Sequence, residues 1–287
     1  FFFKQKTAYE IKECDWSSDV CSSDLGRIPR RIPSVGGAGV KVIPVIDLLG
    51  GRVVRAVRGE RHNYQPLSTP LIQCSEPLRV VEWLRENFDL RSLYAADLDA
   101  IAGRAANRQA IESMLQAGID VWLDPGVADA DQAEDWARLS VHAKRLDQII
   151  VGLESIRRME SLPAIVQAIG ETRAVFSLDL CGGRTRVADP QWAEADPTQI
   201  VEAAIAAGFR KLIVLDLAGV GASSGIAGLS LCQTIRRAYP SIELITGGGV
   251  RDANDLRLLA DAGCHATLIA TALYYGTVTR RDIQSLA

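Results

Sequence analysis

The stretch Val42–Val54 reads VIPVIDLLGGRVV, and Ala174–Val187 reads AVFSLDLCGGRTRV. Each is an apolar, β-branched run ending in Asp-Leu, then an x-Gly-Gly-Arg turn and a second β-type run. A strand buried on both faces shows such a continuous apolar run rather than an alternation. A carboxylate at the end of a buried strand is costly without a partner, so Asp47 and Asp179 stand out. They occupy the same local frame 132 residues apart, which suggests a duplicated half.

The echo extends in order along the chain. Leu93–Asp97 (LYAAD) matches Ile213–Asp216 (IVLD), and Val121–Asp131 (VWLDPGVADAD) matches Leu244–Asn254 (LITGGGVRDAN). Ile149–Leu153 (IIVGL) matches Thr267–Thr271 (TLIAT). Four strand-like units in each half make eight, a period too long for a solenoid and suited to a doubled four-unit block. Between the strands the apolar residues recur at helical spacing. Ser75 and Pro77 mark the start of a first helix, a fourth is expected over Ser155–Ile169, and Pro197 opens a fifth.

Alternating buried strands and amphipathic helices specify a parallel sheet. Eight such units favour closure as an α/β (β/α)8 barrel built from two half-barrels. An open doubly wound sheet is the alternative, but no Gly-x-Gly-x-x-Gly follows the first strand. In a barrel the carboxyl ends of the strands form the active face. Asp47, Asp97, Asp179, Asp216 and the turn Gly247–Gly249 are expected to converge there.

The 287-residue chain is 48% hydrophobic and 23% charged with a net charge of −3. That composition suits a large soluble core and gives no basic surface for nucleic acid or anionic membrane. No apolar run reaches the ~18 residues that a membrane span requires. Residues 1–25, FFFKQKTAYEIKECDWSSDVCSSDL, have no strand or helix period. Lys4–Ile11 and Asp15–Leu25 look like in-frame translations of a sequencing adapter and its index primer, so the segment reads as a gene-assembly artefact and is set aside. Residues 26–40 form a Gly/Pro/Arg-rich lead-in, and 41–287 a single barrel domain. Cys74, Cys181, Cys232 and Cys264 are dispersed without a Cys-x-x-Cys pair, which points to a reducing cytoplasm rather than a disulfide or zinc framework.

Gly247, Gly248 and Gly249, leading into a helix near Asp252, can expose backbone N–H groups to a phosphate, with Ala270 and Thr271 completing the cradle. The first-half counterparts are Gly126 and Gly152. There Pro125 removes a donor, and Asp124 and Asp129 add negative charge. Asp47 and Asp179, across the barrel mouth, can act as general base and general acid beside a carbonyl or imine, contributing ~10²–10⁴-fold per proton transfer. The competing structural reading is that both aspartates cap loops. No His-x-His or His cluster accompanies them, so metal hydrolysis is not indicated.

These motifs, with TGGGVR at Thr246–Arg251 and IATALYYG at Ile269–Gly276, resemble the histidine-biosynthesis isomerase/cyclase family over about Lys41–Gly276. Within it Ile46-Asp47-Leu48 and Arg55, eight residues after the Asp, are similar to the isomerase branch; the cyclase carries Lys there. The resemblance implies Asp47 as general base, Asp179 as general acid, and Arg55, Asp97, Trp192 and Asp216 as substrate contacts. The implied reaction is an Amadori rearrangement of a phosphoribosyl aminoimidazole carboxamide aminoaldose to an aminoketose, with no cofactor and no metal. The partner is a small phosphorylated sugar-type substrate, and no oligomeric state follows. Two departures keep alternatives open. The family's Gly-Gly-Gly-Ile-Arg turn is Asp124-Pro125-Gly126-Val127-Ala128 here, and its second strand-6 Asp is Val220. A paralogue using a smaller, singly phosphorylated substrate, or a catalytically silent phospho-ligand-binding barrel, are the other two readings.

Overall fold

A computed structural model describes residues 39–221 and 225–286. The adapter-like segment and residues 26–38 of the lead-in lie outside the described residues. Eight strands alternate with helices: β1 Lys41–Leu49, β2 Ser92–Asp97, β3 Asp120–Asp124, β4 Gln148–Gly152, β5 Ala174–Cys181, β6 Lys211–Asp216, β7 Glu243–Gly247 and β8 Ala266–Ile269. Each pairs in parallel with its neighbour, and β8 returns to β1 through Lys41↔Ala266 to Pro44↔Ile269, so the barrel closes. Closure pairs every barrel strand on both sides and leaves no open parallel edge.

The helices that follow the strands are α1 Pro77–Phe88, α2 Arg108–Gln116, α3 Ala130–Arg138, α4 Leu162–Ile169, α5 Pro197–Ala206, α6 Leu229–Ala238, α7 Ala253–Asp261 and α8 Arg280–Gln284, with single helical turns at Leu98–Ile101 and Thr271–Tyr274. The α1 cap is Glu76, whose carboxylate accepts from the Leu78 and Arg79 N–H groups, rather than the expected Ser75. The α4 helix begins at Leu162 after a tight turn, Met159–Ser161, not at Ser155. Ser155 instead turns back onto the Gly152 carbonyl, because the chain must leave the barrel mouth before a helix can start.

Side chains along each strand alternate between two cores. Ile43, Tyr94, Trp122, Ile150, Val175, Ile213, Ile245 and Leu268 fill the barrel interior. Val42, Leu93, Val121, Ile149, Phe176, Leu212 and Leu244 face the helices. Burying a side chain of this size stabilises by ~1.5–3 kcal/mol, so the two-residue period of a strand fixes which face each residue can occupy. On β5, Val175 in the interior places Ser177 and Asp179 on the inner face at the mouth, while Ala174, Phe176, Leu178 and Leu180 pack outward.

Candidate active site

The same parity sorts the acidic residues. Asp47 follows Ile43 and Val45 on the inner face of β1, Asp124 follows Trp122 on β3, and Asp179 follows Val175 on β5. All three line one pocket at the carboxyl ends of the strands, together with Tyr94, Glu154, Arg61 and Tyr64. The pocket opens to solvent at the barrel mouth and encloses about 940 Å³ counted out to that opening. Gly248, Gly249, Ala270 and Thr271 line its opposite wall.

Asp124 and Asp179 are 7% and 6% exposed, and Asp47 is half-buried at the mouth. Burial pushes the Asp47 carboxyl up to about 7, with the Arg61 cation opposing and Asp124 adding to the rise. Burial also raises Asp124 to about 7. It raises Asp179 to about 8, reinforced by the negative charges of Glu154 and Asp124. Removing a carboxylate from water disfavours its charged form, and a neighbouring carboxylate does the same. The Ser177 hydroxyl donates to Asp179 Oδ1 at 2.8 Å, and the Tyr94 hydroxyl to Asp124 Oδ2 at 3.3 Å.

The long segment after β1 folds over the mouth. The Arg58 N–H donates to the Val220 carbonyl at 2.8 Å. A Cβ on Gly221, held at φ +67°, would come within 2.2 Å of the Ala56 carbonyl oxygen, so only glycine admits this crossing. Arg61 from this segment and Arg186 from the loop after β5 both bind Glu154, the latter at 2.8 Å. One carboxylate thus ties together loops from both half-barrels.

Other expected contacts take different places. Asp97 and Asp216 lie on the outward-facing parity of β2 and β6, and neither lines the pocket. Asp97 accepts from the Ala100 N–H and from the Asn107 N–H and side-chain amide. Asp216 accepts from the Gly182, Gly183 and Ala218 N–H groups. Arg55 is exposed and donates to the Tyr275 hydroxyl at 2.6 Å, and Trp192 packs on the outer core from the turn Pro190–Trp192. Gly247 is closed against β8, where a Cβ would meet Leu268 Cβ at 2.7 Å. The Gly126 N–H donates to Asp124 Oδ1 at 3.1 Å, and the residue is packed against the Ile101 backbone. Gly152 lies beneath two carboxylates rather than beside an anion. Glu154, Arg61, Tyr64 and Tyr94 were not among the expected site residues. Strand parity alone marks Tyr94, but nothing in the loop sequence marks Arg61 or Glu154.

A model of the histidine biosynthesis protein family matches residues 41–279. The chain belongs to the histidine biosynthesis protein family. Its relatives include a protein of Deinococcus radiodurans, 30% identical over 242 residues, covering 83% of this chain and 95% of the relative. Another, from Natronomonas pharaonis, is 29% identical over 250 residues (84% and 96%). A third, from Leuconostoc mesenteroides, is 26% identical over 250 residues (85% and 99%). All three are named 1-(5-phosphoribosyl)-5-((5-phosphoribosylamino)methylideneamino) imidazole-4-carboxamide isomerase. In this chain Gly248 and Gly249 line the pocket from the second half, and Asp124 and Glu154 bring carboxylates to it from the first. No helix among the described residues is long and apolar enough to cross a membrane.

Proposed function

We propose that the protein is an aldose–ketose isomerase of the Amadori type, acting on the phosphoribosylamino-methylideneamino imidazole carboxamide for which its relatives are named. The carrying observation is that Asp47 and Asp179, one from each half-barrel, line one pocket with carboxyls raised to about 7 and about 8. Between those two values Asp47 is the more ionised of the pair and can act as base, while Asp179 is the more protonated. Groups tuned to either side of the working pH are suited to acid and base roles.

In this mechanism Asp179 protonates the furanose ring oxygen and the C1–O bond breaks, the amine nitrogen supplying the electron pair that makes a protonated Schiff base. Asp47 then removes the C2 proton to give an enolamine. Loss of the enol O–H proton and protonation of C1 complete the aminoketose. Gly248, Gly249, Ala270 and Thr271, which line the β7–β8 side of the pocket, hold a phosphate through their backbone N–H groups. No cofactor enters this sequence. We assign the protein to the cytoplasm, on Cys74, Cys181, Cys232 and Cys264, which are free thiols among the described residues. The relatives' named substrate carries two phosphoribosyl groups, larger than the small sugar phosphate expected from sequence.

One observation favours a narrower variant of the same chemistry. At the first-half end, Gly126 is closed by Asp124 and Ile101, and Glu154 adds a further carboxylate. That end suits an uncharged or cationic group better than a second phosphate. The purified protein, given the doubly phosphorylated aminoaldose and a singly phosphorylated analogue with product followed by chromatography, is expected to form aminoketose. Growth of an isomerase-deficient histidine auxotroph would agree. Absence of turnover on both substrates overturns the reading.

A further inference from the structure

We propose that Asp124 is a positioning residue for the proton transfer: facing Asp179 over the bare Cα of Gly152, it holds Asp179 in the acid form that opens the sugar ring. Asp179 Oδ2 lies 3.4 Å, and Asp124 Oδ2 3.5 Å, from the point a Gly152 Cβ would occupy. A single methyl there would touch both carboxylates. Register explains the meeting: Gly152 pairs with Ser177 across β4–β5, and Asp124 ends β3 on the other side of β4. Ser177 engages Asp179 Oδ1, leaving Oδ2 on the side of Asp124.

Two carboxylates placed this way cannot both ionise readily, and one proton stays with the pair. The surrounding groups decide which member keeps it. Asp124 receives the Tyr94 hydroxyl and the Gly126 N–H, and Arg61 favours its charged form. Asp179 faces Glu154 and Asp124, and accepts from the Ser177 hydroxyl and the Glu154 N–H. Asp47, on the opposite side, faces Arg61 and Asp124. Glu154 also acts on Asp179 but is paired with Arg61 and Arg186, whereas Asp124 takes its hydrogen bonds from the neutral Tyr94 hydroxyl and Gly126 N–H and meets Asp179 across Gly152. The ring-opening step needs an acid near neutral pH, where an isolated Asp would have lost its proton.

The activity readout rests on the isomerase reading, so a second readout is independent of it. The pH dependence of kcat is measured for the wild type, Asp124→Asn and Asp124→Glu. Removing the neighbouring charge is expected to move the descending limb of Asp124→Asn down by about one pH unit, a roughly tenfold loss on that limb. Asp124→Glu, which keeps the charge, leaves the limb near its wild-type position. Infrared titration of the unliganded protein follows the protonated-carboxyl band that Asp179→Asn removes. That band is expected to titrate at lower pH in Asp124→Asn. If the wild type shows no turnover while the band shifts, the isomerase reading fails and the coupling stands. A limb and a band that stay in place in folded Asp124→Asn overturn the proposal.

Discussion

Asp47, Asp124 and Asp179 are the residues on which the chemistry turns, and their behaviour follows from two-residue strand periodicity. Each stands two positions beyond an inward-facing residue of the barrel interior, so its carboxyl emerges above the apolar core and below the loops. The carboxyls raised to about 7 and about 8 make a bell-shaped pH–rate profile the expected outcome, rising as Asp47 ionises and falling as Asp179 does. Asp179→Asn removes the acid and its proton but keeps the volume. We expect at least a ~10²-fold loss of kcat, the low end for a lost general acid, with a cooperative thermal transition retained. Steady-state kinetics beside circular dichroism checks this, and wild-type-like turnover refutes it.

At the scale of elements, the two Gly-Gly turns show how the repeat is reused. Gly50 and Gly51, and Gly182 and Gly183, all have positive φ (58°, 75°, 61° and 79°), the conformation of a tight hairpin turn that only glycine adopts freely. In the second half Asp216 holds both N–H groups of the turn directly. In the first half the work is divided: Asp99 holds Gly50, Asn107 holds Gly51, and Asp97 fixes Asn107. Asp97→Ala should therefore loosen the first hairpin and leave buried donors unsatisfied, costing ~2–4 kcal/mol at ~1–3 kcal/mol per orphaned group. Denaturant unfolding is the measurement, and a loss below the error of that method would contradict the role. Gly221→Ala adds a Cβ that the Ala56 carbonyl cannot accommodate. It should displace the segment after β1 and raise KM about tenfold, the ~1.4 kcal/mol of one mispositioned contact, with a smaller change in kcat.

For the whole molecule, the acid cluster sets a pH dependence of stability. Below about pH 4 these carboxyls are neutral in folded and unfolded chains alike. Above that the unfolded chain releases protons that the folded chain keeps until about pH 7–8. The unfolded state then binds fewer protons, so stability falls as pH rises through this window and levels above it. Asp124→Asn, which cannot ionise, should show a Tm at or below wild type at pH 5 and above it at pH 8.5. The gain would be ~2–4 °C per kcal/mol relieved in a domain of this size. Differential scanning calorimetry across that range decides it, and parallel Tm curves for the two proteins would count against a buried ionising cluster.

Some of this was legible from the chain alone. Apolar runs ending in Asp, doubled with their Gly-Gly-Arg turns, specify strands buried on both faces and a twofold repeat, because local side-chain pattern determines which segments can be covered on both sides. That pattern also places Asp47, Asp179, Gly248, Gly249, Ala270 and Thr271 at strand ends, where the structure gathers them around one pocket. What tertiary structure alone decided is how each polar group at the mouth is partnered. Asp97 and Asp216 end strands as Asp47 and Asp179 do, but they fall on the opposite face and hold loop N–H groups. Arg61, Glu154 and Arg186 meet across 93 and 32 residues of chain through loops that carry no period. A strand's periodicity is a local property, whereas the partner that satisfies a buried charge depends on which distant segments the closed barrel brings within hydrogen-bonding reach.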